Sequence, residues 1–270
     1  MKSIAISNLA WHLGEDKEIF RQMAKMEIRY LEVSPFRETG DPSVISPKSA
    51  KKLLQSLHPY NIKPIALQAL LFQYPHLSLF KDKQTCQKTY DHLLKVITFA
   101  SSIGAKTLIF GSPKNKLRGR MTYHDAFEIS VEFFSKIAEK CKEQGVTFCI
   151  EPTPAVYGAD FIRNIKESVA LIAKVNSTAL KLNMDIGSLL VNKEPIKETI
   201  LQNSSHIGHI HISEPYLRQI NRDYEFHKGI SDVLNECGYS DVISIEMLPQ
   251  PIDNSDCVLQ TLLFVSELYT

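Results

Sequence analysis

Eight short apolar runs, each followed by a stretch with helical periodicity, recur along this chain, and that alternation restricts the folds open to it. Strands are predicted at Ile4–Asn8, Tyr30–Val33, Pro64–Gln68, Thr107–Gly111, Thr147–Ile150, Leu180–Met184, Gly208–Ile212 and Ile243–Glu246. Strand–helix alternation gives a parallel sheet covered by helices. Eight rounds within 270 residues point to an α/β fold of the closed (β/α)8 TIM-barrel type, not an open sheet. No linker, low-complexity tract or shift in composition interrupts the pattern, so residues 1–270 are expected to form one domain.

The helices carry their own boundary signals. Ser46-Pro47 puts a capping hydroxyl before proline at the first helical position. Thr122 and Asp125 form a capping pattern ahead of a helix that should bury Ala126, Ile129, Phe133 and Ile137. Gly104, Gly145 and Gly238 each fall where a helix should end in a left-handed residue.

The balance of 31 Lys and Arg against 30 Asp and Glu argues against a broad nucleic-acid footprint. No apolar stretch approaches the roughly 20 residues that span a bilayer. The segment Met1 to Leu13 is too short and interrupted for a secretory signal. Five cysteines, at 86, 141, 149, 237 and 257, make an odd count without a CxxC pair. Reduced, buried thiols and a cytoplasmic setting follow as expectations. A homo-oligomer is compatible with all of this.

In a barrel of this type the carboxyl ends of the strands line the functional site. Four apolar runs lead to a residue able to ligate a metal: Val146–Ile150 to Glu151, Leu180–Met184 to Asp185, Ile207–Ile210 to His211, and Val242–Ile245 to Glu246. On parallel strands these side chains emerge at one rim. Three carboxylates and one imidazole suit a hard or borderline divalent ion.

Each residue has a plainer reading as well. The glutamates could pair with rim cations, Asp185 could cap a helix before Gly187, and His211 could be a core histidine bonded to backbone. His209 points the same way as His211 in a regular strand, as a supporting or packing residue. His206 is expected to start the strand or lie on the opposite rim. Glu32 could bond a substrate hydroxyl, hold a catalytic partner or pair with Arg37. Gln68 ends strand three. Trp11 and His12 follow strand one and could wall a sugar, with packing of the barrel mouth as Trp11's alternative. Lys114, Lys116, Arg118 and Arg120 crowd the loop after strand four and could draw in an anionic substrate, Lys114 foremost because it lies nearest the strand end. A solvated loop is the alternative. His227 opens a helical pattern and is either a substrate contact or a surface histidine.

These motifs resemble the xylose isomerase-like barrels of the sugar phosphate isomerases and epimerases. The resemblance is carried by Gly111-Ser112-Pro113-Lys114-Asn115, Glu151-Pro152-Thr153-Pro154, His209-Ile210-His211-Ile212-Ser213-Glu214 and Ser244-Ile245-Glu246-Met247. It runs over nearly the whole chain. It implies a metal site of Glu151, Asp185, His211 and Glu246, with Glu151 and Glu246 also moving the proton. The family's epimerases carry a substrate-touching histidine three residues after the metal-binding aspartate; here that position is Ser188. Serine is shorter and cannot carry a proton near neutral pH. The arginine expected after His211 has Arg218 as its nearest counterpart, in a different local sequence.

The implied chemistry is proton removal next to a sugar carbonyl, with a divalent ion stabilising the developing charge and a carboxylate as base. Manganese is the expected ion, with cobalt, magnesium and zinc as alternatives. The expected partner is a small sugar or sugar phosphate, with no nucleic acid or membrane. A metal-dependent dehydratase of a keto-polyol would use the same residues and differ in losing water. A non-catalytic polyol-binding barrel is a further alternative. A three-zinc DNA-repair endonuclease of this fold would need extra ligands that Ala66-Leu67-Gln68, Phe110-Gly111-Ser112 and Ser188 do not supply.

Overall fold

The computed structural model describes residues 2–220 and 223–269. Its eight strands close into one all-parallel barrel in the order β1 to β8: Ile4–Ser7, Tyr30–Val33, Lys63–Leu67, Thr107–Phe110, Thr147–Ile150, Leu180–Asp185, Ile207–Ile212 and Ile243–Ile245. Every neighbouring pair is parallel, and β1 pairs with β8 to complete the ring. The alternation in the sequence thus becomes a (β/α)8 barrel.

Around it lie α1 (Asp16–Lys25), α2 (Pro47–Leu57), α3 (Lys83–Ile103), α4 (Tyr123–Gln144), α5 (Ile165–Val175), α6 (Ile186–Asn192), α7 (Ile196–Asn203), α8 (Tyr224–Glu236) and α9 (Asn254–Tyr269). Ser46 caps α2 by accepting from the Ser49 N–H, and Thr122 caps α4 by accepting from that of Asp125. Gly104 and Gly145 close α3 and α4 with φ of 81° and 65°, where a side chain would be strained.

Four of the eight strands, β1, β3, β4 and β8, end a residue earlier than the sequence predicts, and where the strands end matters for the site. Gln68, Glu151 and Glu246 lie just beyond their strands, yet each backbone N–H still donates to the neighbouring strand: to Val33, Phe110 and Ile212. Their side chains therefore stand at the rim on a backbone that the sheet still holds. In β6 and β7 the register pairs Asn183 with His209 and Asp185 with His211. The period of two puts all four on the interior face, and all four are buried.

The five cysteines are free. Cys141 and Cys149 are buried, whereas Cys86, Cys237 and Cys257 are half-buried, so the expectation of buried thiols holds for two of them. Among the described residues no helix is long and apolar enough to cross a membrane.

Candidate metal centre

The centre is built around His211, which is completely buried on β7. Its Nε2–H donates to Glu32 Oε1 at 2.9 Å. That bond turns Nδ1 toward the barrel mouth, where Glu246 Oε2 lies at 3.1 Å and Glu151 Oε2 at 3.5 Å. One donor atom each from Glu151, His211 and Glu246 lies within 4.8 Å of the others. Asn183 Nδ2 donates to Glu151 Oε2 at 2.7 Å and contacts His211 Nδ1 at 3.2 Å, bracing the pair from below. Gly111 is required beside it, because a Cβ there would stand 2.6 Å from Glu151 Oε1.

Glu32 has no exposed surface. It accepts from His209 Nε2 at 2.8 Å as well as from His211. Burial pushes its carboxyl upward, but the charge of His211 and the bonds from both histidines outweigh burial and hold it well below the usual carboxylate range. Burial pushes His209 down, so it serves Glu32 as a neutral N–H donor. His211 is opposed by burial, yet Glu32 and Glu246 hold it protonated far above the usual imidazole range. Burial, then the charge of Glu246, pushes Glu151 up to about 8. Burial also raises Glu246, against the pull of His211. The metal-free cluster thus retains protons among three groups that would each be deprotonated to ligate a cation.

A divalent cation fits this donor set. It would meet one imidazole nitrogen and carboxylate oxygens whose own positions are fixed by a carboxylate on the far side of the imidazole and by a buried amide. Glu32, His209 and His211 also converge closely. Their ligand atoms, however, are spent on one another in direct hydrogen bonds and are sealed from solvent, so that group supports the centre.

Asp185 takes a double role. Its Oδ1 accepts from the Ser188 N–H at 2.6 Å, capping α6, and its Oδ2 accepts from Ser213 Oγ at 2.5 Å. It lies near enough for its charge to raise both Glu151 and Glu246, but outside the tight group those two form with His211.

The remaining sequence-predicted residues divide sharply. Glu32 joins the centre, while Arg37 bonds Asp16 instead of Glu32. Gln68 is buried and donates to Ser7 Oγ. Trp11 is packed in the core, with Nε1 donating to Asp16 at 2.7 Å. His12 is exposed against the Gln250 carbonyl. Ser188 is buried behind Asp185. Lys114 is exposed, and the buried lysine of its loop is Lys116, whose Nζ donates to the Glu151 carbonyl at 2.8 Å. Burial outweighs the attraction of Glu151 and pushes Lys116 down to about 7. Arg218 is exposed and lies over Tyr216. His227 is neither a surface residue nor open to the pocket: it is fully buried, with Nδ1 against the Tyr269 hydroxyl at 2.9 Å and Nε2 facing Glu214 at 3.4 Å. Helix α9 folds over α8 and encloses it.

Asn183 is absent from the sequence expectations, and Lys116 stands in them only as one of the basic residues of the loop after strand four. Asn183 was accessible from the period of two, since it shares a face with Asp185. Nothing local marks Lys116 as the lysine that turns inward, because a lysine in a basic loop is ordinarily solvated.

Residues 20–262 match the family described as Xylose isomerase-like TIM barrel. No curated protein matches the chain by sequence. Among solved structures, D-psicose 3-epimerase from Clostridium cellulolyticum H10 aligns over 100% of this chain and 99% of its own, with TM-score 0.80 and 15% identity. The 3-keto-D-glucoside 4-epimerase from E. coli aligns over 99% of this chain and 100% of its own, with TM-score 0.81 and 10% identity. The IOLI protein with a binding zinc atom aligns over 100% and 98%, with TM-score 0.73 and 16% identity. At these identities the likeness is one of fold.

Proposed function

This chain belongs to the xylose isomerase-like TIM barrel family, and on that footing we propose that it is a divalent-metal-dependent isomerase or epimerase of a sugar or sugar phosphate. The observation that carries the reading is the placement of the Glu151 and Glu246 carboxylates beside His211 Nδ1, at 3.5 and 3.1 Å. Similar barrels include epimerases of free ketoses and of a keto-glucoside, and one zinc-binding protein. Glu151, His211, Glu246 and Asp185 would hold the ion, with manganese the first choice. A divalent cation held there supplies Lewis-acid stabilisation for the charge that builds on the substrate oxygen.

The chain's own residues supply the proton transfer. Glu151 and Glu246 follow β5 and β8, with two strands between them, and in this reading they flank the bound carbon on different sides. One carboxylate removes the proton next to the carbonyl, and the other returns it. Asn183 holds the Glu151 carboxylate, and Lys116 Nζ anchors the Glu151 backbone carbonyl behind it. Glu32 keeps His211 in the orientation that turns Nδ1 to the mouth. The free thiols fit a cytosolic setting.

Two outcomes follow. In D2O with manganese, the protein should exchange a carbon-bound proton next to the ketone of its sugar substrate, and a chelator should abolish that exchange. Mass spectrometry of recovered sugar reads it; exchange that survives full metal removal would contradict the proposal. Metal uptake should also release protons. Glu151 holds its proton below about 8 in the metal-free protein, and the carboxylate form is the ligand. Manganese affinity should therefore rise between about pH 6 and pH 8, approaching tenfold per unit for each proton displaced. Calorimetry in two buffers of different ionisation enthalpy counts those protons, and a pH-independent affinity would speak against the cluster as ligand.

A further inference from the structure

The loops after β5 and β7 meet at the barrel mouth in a feature that proton transfer does not use. Tyr157 ends the 3-10 turn Ala155–Tyr157, shortly after Glu151, and Tyr216 lies within the turn Pro215–Leu217, shortly after His211. The Tyr216 N–H donates to the Tyr157 hydroxyl at 2.8 Å. The two rings meet edge to face with centroids 5.5 Å apart. The Arg218 guanidinium lies over the Tyr216 ring at 5.6 Å. Tyr216 and Leu217 both take left-handed backbone, with φ of 62° and 53°, a costly conformation for residues with large side chains. Such strain persists where surrounding contacts fix it, and often where a ligand is bound. The result is an aromatic ring held in place by three contacts and still 53% exposed.

Its position ties it to the metal side of the mouth. The Pro215–Leu217 turn packs on α6, the helix that Asp185 caps. That approach needs Gly187, since a Cβ there would stand 2.8 Å from the Glu214 carbonyl oxygen. The next residue, Ser188, adds a short side chain. The Tyr157 hydroxyl is raised by burial and also by the charge of Asp185, which places it within electrostatic reach of that carboxylate.

We propose that Tyr216, clasped by Tyr157 and Arg218, is a stacking platform for a second saccharide ring, so that the substrate is a keto-glycoside: a keto-sugar unit beside Glu151, His211 and Glu246, linked to a further pyranose on Tyr216. The inference rests on the metal-dependent reading above. An immobilised aromatic face beside a polyol site matches the C–H face of a pyranose. The guanidinium next to it donates hydrogen bonds and accepts none, which suits sugar hydroxyl oxygens.

The test compares 3-ketoglucose with 3-ketocellobiose, which carry the same ketone without and with a second ring. For the manganese-loaded protein, kcat/KM for deuterium exchange should be about tenfold higher for 3-ketocellobiose, the size of one stacking contact. Tyr216→Asn removes the ring, and asparagine tolerates the left-handed backbone. It should erase that advantage through KM, while Tyr216→Phe should keep it. Equal values for the two substrates, or an advantage that survives Tyr216→Asn, would overturn the platform. Saturation-transfer NMR with cellobiose, which has no ketone for the metal centre to activate, separates the two claims. Cellobiose that binds and is lost in Tyr216→Asn supports the platform itself even if neither ketone exchanges, and that lack of exchange would count against the metal-dependent reading and the keto-glycoside assignment that rests on it. Exchange of 3-ketoglucose without any contact between cellobiose and Tyr216 rejects the platform and leaves that reading standing.

Discussion

Glu246→Gln is expected to lower turnover by about a thousandfold, within the range that loss of a positioned acid or base costs, while the barrel folds normally. The amide keeps the shape of the side chain but cannot take a proton. It also puts a donor or a weaker acceptor where the carboxylate faces His211 Nδ1 at 3.1 Å. The fold should tolerate the change, because the residue lies at the rim just beyond β8 and its backbone N–H continues to donate to Ile212. Deuterium exchange measured beside circular dichroism and thermal melting checks both halves. A variant that keeps full activity would remove Glu246 from the acid–base pair.

Glu32→Gln should be nearly as damaging, by a different route. Glu32 has no place to touch substrate, since it is fully enclosed and spends both oxygens on His209 and His211. The amide can accept from one histidine with its oxygen but must present N–H to the other. His211 then loses the carboxylate that fixes its tautomer and orientation. Manganese affinity should fall about 10- to 100-fold, the usual cost of losing a partner behind a ligating histidine. The metal-free protein should lose about 3 kcal/mol, because His211 retains a buried charge with one carboxylate partner removed. Calorimetric titration and denaturant unfolding read these separately. Unchanged metal affinity in a folded variant would show that Glu32 does not orient the ligand.

Glu32 also marks the boundary between what local sequence specifies and what only the closed barrel creates. The barrel itself was legible, because apolar runs punctuated by glycine, capping hydroxyls and prolines repeat at the spacing of strand–helix units. So were Glu151, Asp185, His211 and Glu246 as strand-end residues, since the period of two and the parallel topology fix which rim they reach. Long-range partnership was not legible. Arg37, a few residues away, was as reasonable a partner for Glu32 as His209 and His211, which are 177 and 179 residues distant. Only barrel closure brings β2 and β7 to face each other across the interior. The same limit explains His227, whose position at a helix start reads as surface until α9 covers it. It explains Lys116 as well: nothing local distinguishes the lysine that folds inward onto Glu151 from Lys114, which stays in solvent.

The proposed function requires that Glu151, Asp185, His211 and Glu246 share one divalent cation. Anomalous diffraction from a crystal grown with manganese tests it most directly. One strong peak is expected within about 2.5 Å of His211 Nδ1 and of a carboxylate oxygen from each of the three acids, with Asp185 turning from Ser213 to reach it. The absence of a peak at the mouth, or a peak seated between Glu32 and His209 instead, would contradict it.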